Sequence, residues 1–175
     1  MPQRNVEIIR RGLDAVILCV DRCLRSSGLR RSLILRCAAN IELAKRGYAA
    51  VNAAYEEGSV ESLRGLIDET WAEDGVFVTR GALFPEAGEW PGREGFLRFL
   101  AQQMEAFERM SIEPLEFIEG GNMLVVPIRL GGTARHTGID MEFELFHVFE
   151  FRDGQVVRLE PFLDRDDALH AVGVA

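Results

Sequence analysis

No cysteine occurs after Cys37, and only three occur in all, Cys19, Cys23 and Cys37. An odd number confined to the first 38 residues excludes a disulfide framework for the rest of the chain. Cys19 and Cys23 are spaced i, i+4, as two ligands on one helix face would be. No histidine or further cysteine stands near them to complete a metal site. They read as reduced, half-buried thiols, and no metal or cofactor is expected. Long apolar runs are also missing. The best, from Ala15 to Val20, lies between Asp14 and Asp21 and falls far short of the ~20 residues that cross a bilayer. No small-residue cleavage site comes after it, so neither a membrane span nor a secretory signal is expected, and the expected location is cytoplasmic. Positive charge is scarce in the body of the chain. After residue 38 there are 12 basic and 25 acidic side chains, a balance that repels phosphate backbones and argues against a nucleic-acid partner.

What is present is the material of one soluble domain with a proper core. The 175 residues are 47% hydrophobic and 27% charged. The missing positive charge is concentrated at the start, where residues 1–38 hold eight arginines against Glu7, Asp14 and Asp21. The pattern of this segment recurs once, directly after it. Arg4-Asn-Val-Glu-Ile-Ile-Arg-Arg-Gly-Leu-Asp-Ala-Val16 matches Ala39-Asn-Ile-Glu-Leu-Ala-Lys-Arg-Gly-Tyr-Ala-Ala-Val51 at six of thirteen positions. The period is not sustained, which excludes a solenoid. Residues 1–38 are therefore an extension, a partial duplicate of the first domain helix, and residues 39–175 are the domain. Val6, Ile9, Leu13, Val16, Ile17, Val20 and Leu24 still form a helical stripe within the extension.

From Asn40 the apolar spacing predicts a helix through Ile41, Ala44, Tyr48, Val51 and Tyr55, stopped by Gly58. Ser59 opens a second, short helix with Leu63, Leu66 and Ile67. Residues 75–79 read as a strand, 80–92 as a loop, and 93–107 as a third helix with Phe96, Phe99, Leu100 and Met104 inward. The period then changes to two. Strands are expected near 111–119, 122–131, 138–151 and 155–163, joined at Gly120-Gly121, at Gly131-Gly132 and by the hairpin turn Arg152-Asp153-Gly154. Pro127 suggests an edge strand or a bulge. Asp164 leads a short final helix. Helices first and antiparallel strands afterwards make an α+β fold with helices on one face of the sheet.

Several segments resemble the SnoaL-like branch of the nuclear transport factor 2-like superfamily. They are the helix of residues 40–55, Asp68-Glu-Thr-Trp-Ala-Glu-Asp-Gly-Val-Phe77, Trp90-Pro-Gly-Arg-Glu-Gly-Phe96 and His147-Val-Phe-Glu-Phe-Arg-Asp-Gly-Gln-Val-Val-Arg-Leu-Glu160. The resemblance covers about residues 39–173. It implies a cone-like, curved antiparallel sheet wrapped around three helices and enclosing an apolar pocket. It also implies a homodimer paired through the sheet. The face of residues 140–150 that carries Asp140, Glu142, Phe146 and Val148 fits that role, since its apolar members need cover.

The opposite face of that strand, Ile139, Met141, Phe143, Leu145, His147, Phe149 and Phe151, is apolar except for His147. An imidazole there is either a hydrogen-bonded core residue or the polar group of a pocket. In SnoaL-type cyclases a histidine at this strand position faces the substrate, and an acid/base carboxylate stands on the next strand. Here that carboxylate position falls on Pro161. Glu160 is adjacent, although alternation points it to the other face unless the proline makes a bulge. The ketosteroid isomerase relatives use a tyrosine of the first helix, which Tyr48 matches; their base position is Thr79-Arg80 here. Neither catalytic set is complete.

The candidate proton-transfer residues are thus His147, Tyr48 and Glu160. The candidate ligand contacts are Trp71, Phe77, Phe84, Trp90, Met141, Phe143 and Phe162, with Arg80 or Arg93 near the mouth. The expected function is binding of a small, apolar, carbonyl-bearing molecule, with isomerase- or cyclase-type proton transfer as its enzymatic form. The alternative is a non-catalytic dimeric module with a filled interior. A cavity of roughly a few hundred Å³ reaching His147 distinguishes the first from the second. An epoxide-hydrolase-like enzyme needs paired inward carboxylates, and none are evident.

Overall fold

The computed structural model describes residues 29–81 and 87–174, with side chains described from residue 38 onward. The N-terminal apolar stripe, the three cysteine side chains and Phe84 lie outside the described residues.

The first helix, α1, spans Leu29–Glu57 and so extends well ahead of Asn40. Among its described side chains Ala44, Tyr48, Val51 and Ala54 are buried, with i, i+3, i+4 spacing. Gly58, at φ +68°, ends it. The Ser59 hydroxyl accepts from the Glu61 amide, and a 3-10 turn Glu61–Leu63 leads into α2, Arg64–Thr70. Strand β1, Trp71–Thr79, comes at once after it. The segment expected to be loop contains a short strand, β2, Gly88–Pro91, paired antiparallel with β1 from Val76↔Pro91 to Thr79↔Gly88. Four residues rich in Gly and Pro carry too little periodicity to announce a strand. Helix α3, Gly92–Ala106, buries Phe96, Leu97, Phe99 and Leu100.

The remaining strands are β3 Phe107–Pro114, β4 Ile118–Gly120, β5 Met123–Ala134, β6 Asp140–Arg152 and β7 Gln155–Phe162. They form one curved, open sheet in the order β2-β1-β7-β6-β5-β3, with β4 also on β5. The β6–β7 turn has positive φ at both Asp153 and Gly154, as a two-residue hairpin loop requires. All pairs are antiparallel except β1–β7, which is parallel. The sequence order of strands implies only the antiparallel part. The parallel pair arises because the chain leaves β1 through β2 and α3 and returns beside it only with β7, after four intervening strands.

Two local expectations need correction. Gly131-Gly132 is not a turn; β5 runs through it to Ala134, and the turn lies beyond, with Gly138 at φ +66°. Glycine serves there because a Cβ on Gly132 would lie 3.1 Å from the Arg109 carbonyl oxygen on the facing strand. Pro127 is not on an edge strand, since β5 pairs on both sides. Its carbonyl accepts from the Leu115 amide, just past the end of β3 and before β4 begins. The side of Pro127 that lacks a donor therefore faces the break between β3 and β4, where no ladder bond is lost.

Part of the outer sheet face is covered by the C-terminal helix. Helix α4, Arg165–Ala171, is capped by Asp164, whose Oδ1 accepts from the amides of Asp166 (2.8 Å) and Asp167 (3.1 Å). Its Ala168 packs with Ile118, Val125, Phe146 and Val148. At Phe146 and Val148 α4 supplies cover, while Asp140, Glu142 and Glu144 on the same face stay exposed.

Candidate functional site

The inner side of the sheet and the apolar sides of α1, α2 and α3 enclose a cavity of about 90 Å³. That is smaller than the few hundred Å³ expected, yet large enough to hold several waters. Aromatic rings build much of the wall between α3 and β1. Trp71 stacks on Phe96 at 4.3 Å, Phe77 meets Phe96 at 5.5 Å and Phe99 at 4.4 Å, and Trp90 meets Phe99 edge-on at 5.5 Å.

His147 reaches the cavity from β6, between Val126 and Pro161 of the neighbouring strands. It is 9% exposed. Tyr48 approaches it from α1: its hydroxyl and the His147 Nδ1 are 3.0 Å apart, and the rings lie nearly parallel with centroids 5.9 Å apart. Asn52, one turn further along α1, holds this helix in place. Its side chain donates to the Ile112 carbonyl and accepts from the Ile112 amide, both at 2.8 Å. Burial lowers the His147 pKa from 6.5 to about 4, because desolvation penalises the imidazolium. Burial also raises the Tyr48 pKa well above its ordinary value, so the phenol keeps its proton. The pair is neutral at pH 7. A phenol that donates to Nδ1 leaves the imidazole proton on Nε2. No hydrogen bond to Nε2 occurs among the described residues, and no described buried polar atom is sealed off without a partner. Nε2 is therefore open to the cavity that the ring lines.

Of the expected ligand contacts, Trp71 and Phe77 line the cavity. Trp90 stands behind Phe99, with its indole N–H donating to the Thr79 hydroxyl at 3.2 Å. Met141 and Phe143 share the inward face of β6 but lie past Leu145, the last of that face to be buried, and Phe143 is 48% exposed. Among the described residues Met141 is only half-buried and Phe143 is left exposed. Phe162 is on the outer face opposite Phe146, with the Arg80 guanidinium 4.7 Å above its ring. Glu160 is also on the outer face, paired across from Val148. Pro161 makes no bulge; the only register shift between β6 and β7 falls between Glu150 and Phe151. Glu160 is instead held by Arg80 on one oxygen and by Arg158, at 3.0 and 3.1 Å, on the other. It does not approach His147. Arg93 donates to the Trp71 carbonyl at 2.9 Å and ties α3 to β1, so neither arginine lines the cavity.

Two polar lining residues were not anticipated from the sequence. Gln103 lies on the apolar stripe of α3, one and two turns beyond Phe99 and Phe96, and that placement was the signal available. Tyr55 lies two turns beyond Tyr48 on α1, and its phenol is pushed above its ordinary pKa by burial. Thr70 also lines the cavity, but its hydroxyl donates to the Leu66 carbonyl at 2.6 Å.

The family model of the SnoaL-like domain matches residues 48–159, more than half of the chain. No curated protein matches at a significant level. Among solved structures, a proposed SnoaL-like polyketide cyclase from Jannaschia sp. CCS1 is 19% identical at a TM-score of 0.59, covering 79% of this chain and 94% of that one. Bal32a, from a soil-derived mobile gene cassette, is 20% identical at 0.61, covering 78% and 98%. TerC, co-crystallised with polyporic acid, is 25% identical at 0.56, covering 77% and 97%.

Proposed function

We propose, from the premise that this chain belongs to the SnoaL-like domain family, that its cavity binds a small, mostly apolar molecule through a carbonyl group. One observation carries the proposal: His147, nine-tenths buried in an apolar enclosure, has Nδ1 occupied by Tyr48 and Nε2 open to the cavity. A neutral imidazole in this setting donates from Nε2 to a carbonyl oxygen and polarises it. The names of two structural neighbours, a cyclase and a protein crystallised with polyporic acid, support a small-molecule role. Enzymatic proton transfer has less support. Among the described residues no Asp or Glu lines the cavity, and an imidazole of pKa about 4 is a weak base at neutral pH. The modest cavity volume is the observation that supports the rival, a non-catalytic dimeric module with a filled interior. Calorimetric titration with acetophenone separates the two. Saturable binding is expected, weakened about fivefold by His147→Phe, the value of roughly one hydrogen bond. No binding by the wild-type protein at millimolar acetophenone would reject the proposal.

We further place the domain start at residue 39. Ala38 and Ala39 are exposed, and the buried stripe of Ala44, Tyr48, Val51 and Ala54 lies wholly within residues 39–175, which supports this. A chain starting at Ala39 is expected to keep a single cooperative thermal transition. A broad, non-cooperative melt would mean that residues 1–38 are integral to the core.

A further inference from the structure

The polar equipment of the cavity exceeds what a single carbonyl requires. Of the residues lining it, Tyr48 and His147 satisfy each other at 3.0 Å, and the Thr70 hydroxyl is taken by the Leu66 carbonyl. Gln103 remains. Its helix face is otherwise apolar, it is half-buried, and its amide has no hydrogen-bond partner among the described residues. A carboxamide offers two donors and two acceptor lone pairs, and at the cavity wall these are free for a bound partner. Gln103 projects from α3, whereas His147 comes from the sheet opposite, so the two groups sit on different walls of one cavity. The Tyr55 hydroxyl, also without a partner among the described residues, comes from a third element, α1.

The lining is also notable for its charge. Among the described residues that line the cavity none is Asp, Glu, Lys or Arg, and the arginines nearest the ends of β1 are committed elsewhere: Arg80 to Glu160, Arg93 to the Trp71 carbonyl. An ionised ligand would meet no counter-charge there, and a buried unpaired charge is far costlier than a buried hydroxyl.

We infer that Gln103 is a second ligand anchor, and that the cavity selects an uncharged molecule with two hydrogen-bonding groups, a carbonyl for His147 and a hydroxyl or second carbonyl for Gln103. This rests on the carbonyl-binding proposal and narrows it. A ligand lacking the second group forgoes the Gln103 contact, and one carrying a carboxylate in its place is refused.

The test uses the full-length protein and three probes of one scaffold, acetophenone, the 3- and 4-hydroxyacetophenones as a pair, and 4-acetylbenzoate. Calorimetry on the wild type is expected to give at least one hydroxyacetophenone about five- to tenfold tighter than acetophenone, the value of one good neutral hydrogen bond. Binding of 4-acetylbenzoate is expected to be at least a hundredfold weaker than that of acetophenone. Gln103→Leu, which keeps helix propensity and length, should abolish the preference for the hydroxyacetophenones over acetophenone. Gln103→Asn, a shorter amide, should restore part of the preference. If acetophenone binds but the hydroxyl adds nothing, or if the preference survives Gln103→Leu, the second anchor is refuted. Tight binding of 4-acetylbenzoate refutes the selection against charge. Failure of every probe, acetophenone included, refutes the underlying carbonyl proposal instead.

Discussion

Between pH 6.5 and pH 4 the protein is expected to lose about 3 kcal/mol of stability through His147 alone. The ring is held neutral by burial, with its pKa lowered from 6.5 to about 4. In the unfolded chain it titrates near 6.5, so as the pH falls through that value the unfolded state takes up a proton that the folded state refuses. The unfolded state binds more protons in this window, and stability therefore rises with pH across it. Above pH 6.5 both states are neutral and the contribution is constant. Below pH 4 both are charged and no further loss comes from this residue. At about 1.4 kcal/mol per pH unit, the interval corresponds to roughly 3 kcal/mol. His147→Phe removes this titration. It also leaves the Tyr48 hydroxyl without its partner, at a cost of about 1–3 kcal/mol that does not vary with acid. The variant should therefore be the less stable protein at pH 8, and the gap should close or invert by pH 4. Urea midpoints at half-unit intervals for both proteins measure it. Carboxylates protonate in both alike, so parallel curves would show that the histidine is solvated or already charged in the folded protein.

Gly95→Ala is expected to destabilise by about 1–3 kcal/mol, opposite in sign to the usual effect of this change within a helix. Gly95 lies in the first turn of α3, against β2. A Cβ there would come 2.6 Å from the Trp90 carbonyl carbon and 2.9 Å from its oxygen. These are backbone atoms and have no rotamer to escape into, so β2 or α3 must shift. Either movement draws the Trp90 ring from Phe99 and its indole N–H from Thr79, and Phe99 is part of the cavity wall. Gly65 in α2 is the internal control. Nothing lies within 4 Å of its would-be Cβ, and Gly65→Ala should stabilise by roughly 0.5–1 kcal/mol. Thermal midpoints that move in opposite directions support the packing argument. Two shifts of the same sign would mean that helix propensity, and not the approach of α3 to Trp90, governs Gly95.

Much of this architecture is legible from local pattern, because local pattern has a local cause. The stripe from Ala44 to Ala54, the stop at Gly58, the positive-φ turn at Asp153-Gly154 and the cap at Asp164 each depend on a few neighbouring residues. Alternation along β6 correctly sends His147 inward and its flanking carboxylates outward. The same rule, applied to β7, keeps Glu160 away from His147. Other features have no local cause. The parallel pairing of β1 with β7, the extra strand at Gly88–Pro91 and the interior position of Pro127 depend on which strands meet after long excursions of the chain. The candidate site divides in the same way. A histidine on an apolar strand and a tyrosine on an apolar helix are both visible in the sequence. That they are bonded to each other is not, since 99 residues separate them. Which members of an apolar face actually enclose something is likewise a matter of length. Periodicity places Phe143 and Leu145 on one face, but only Leu145 lies beneath a helix. Burial is a property of what packs against a residue, and a one-dimensional pattern carries the face without the partner.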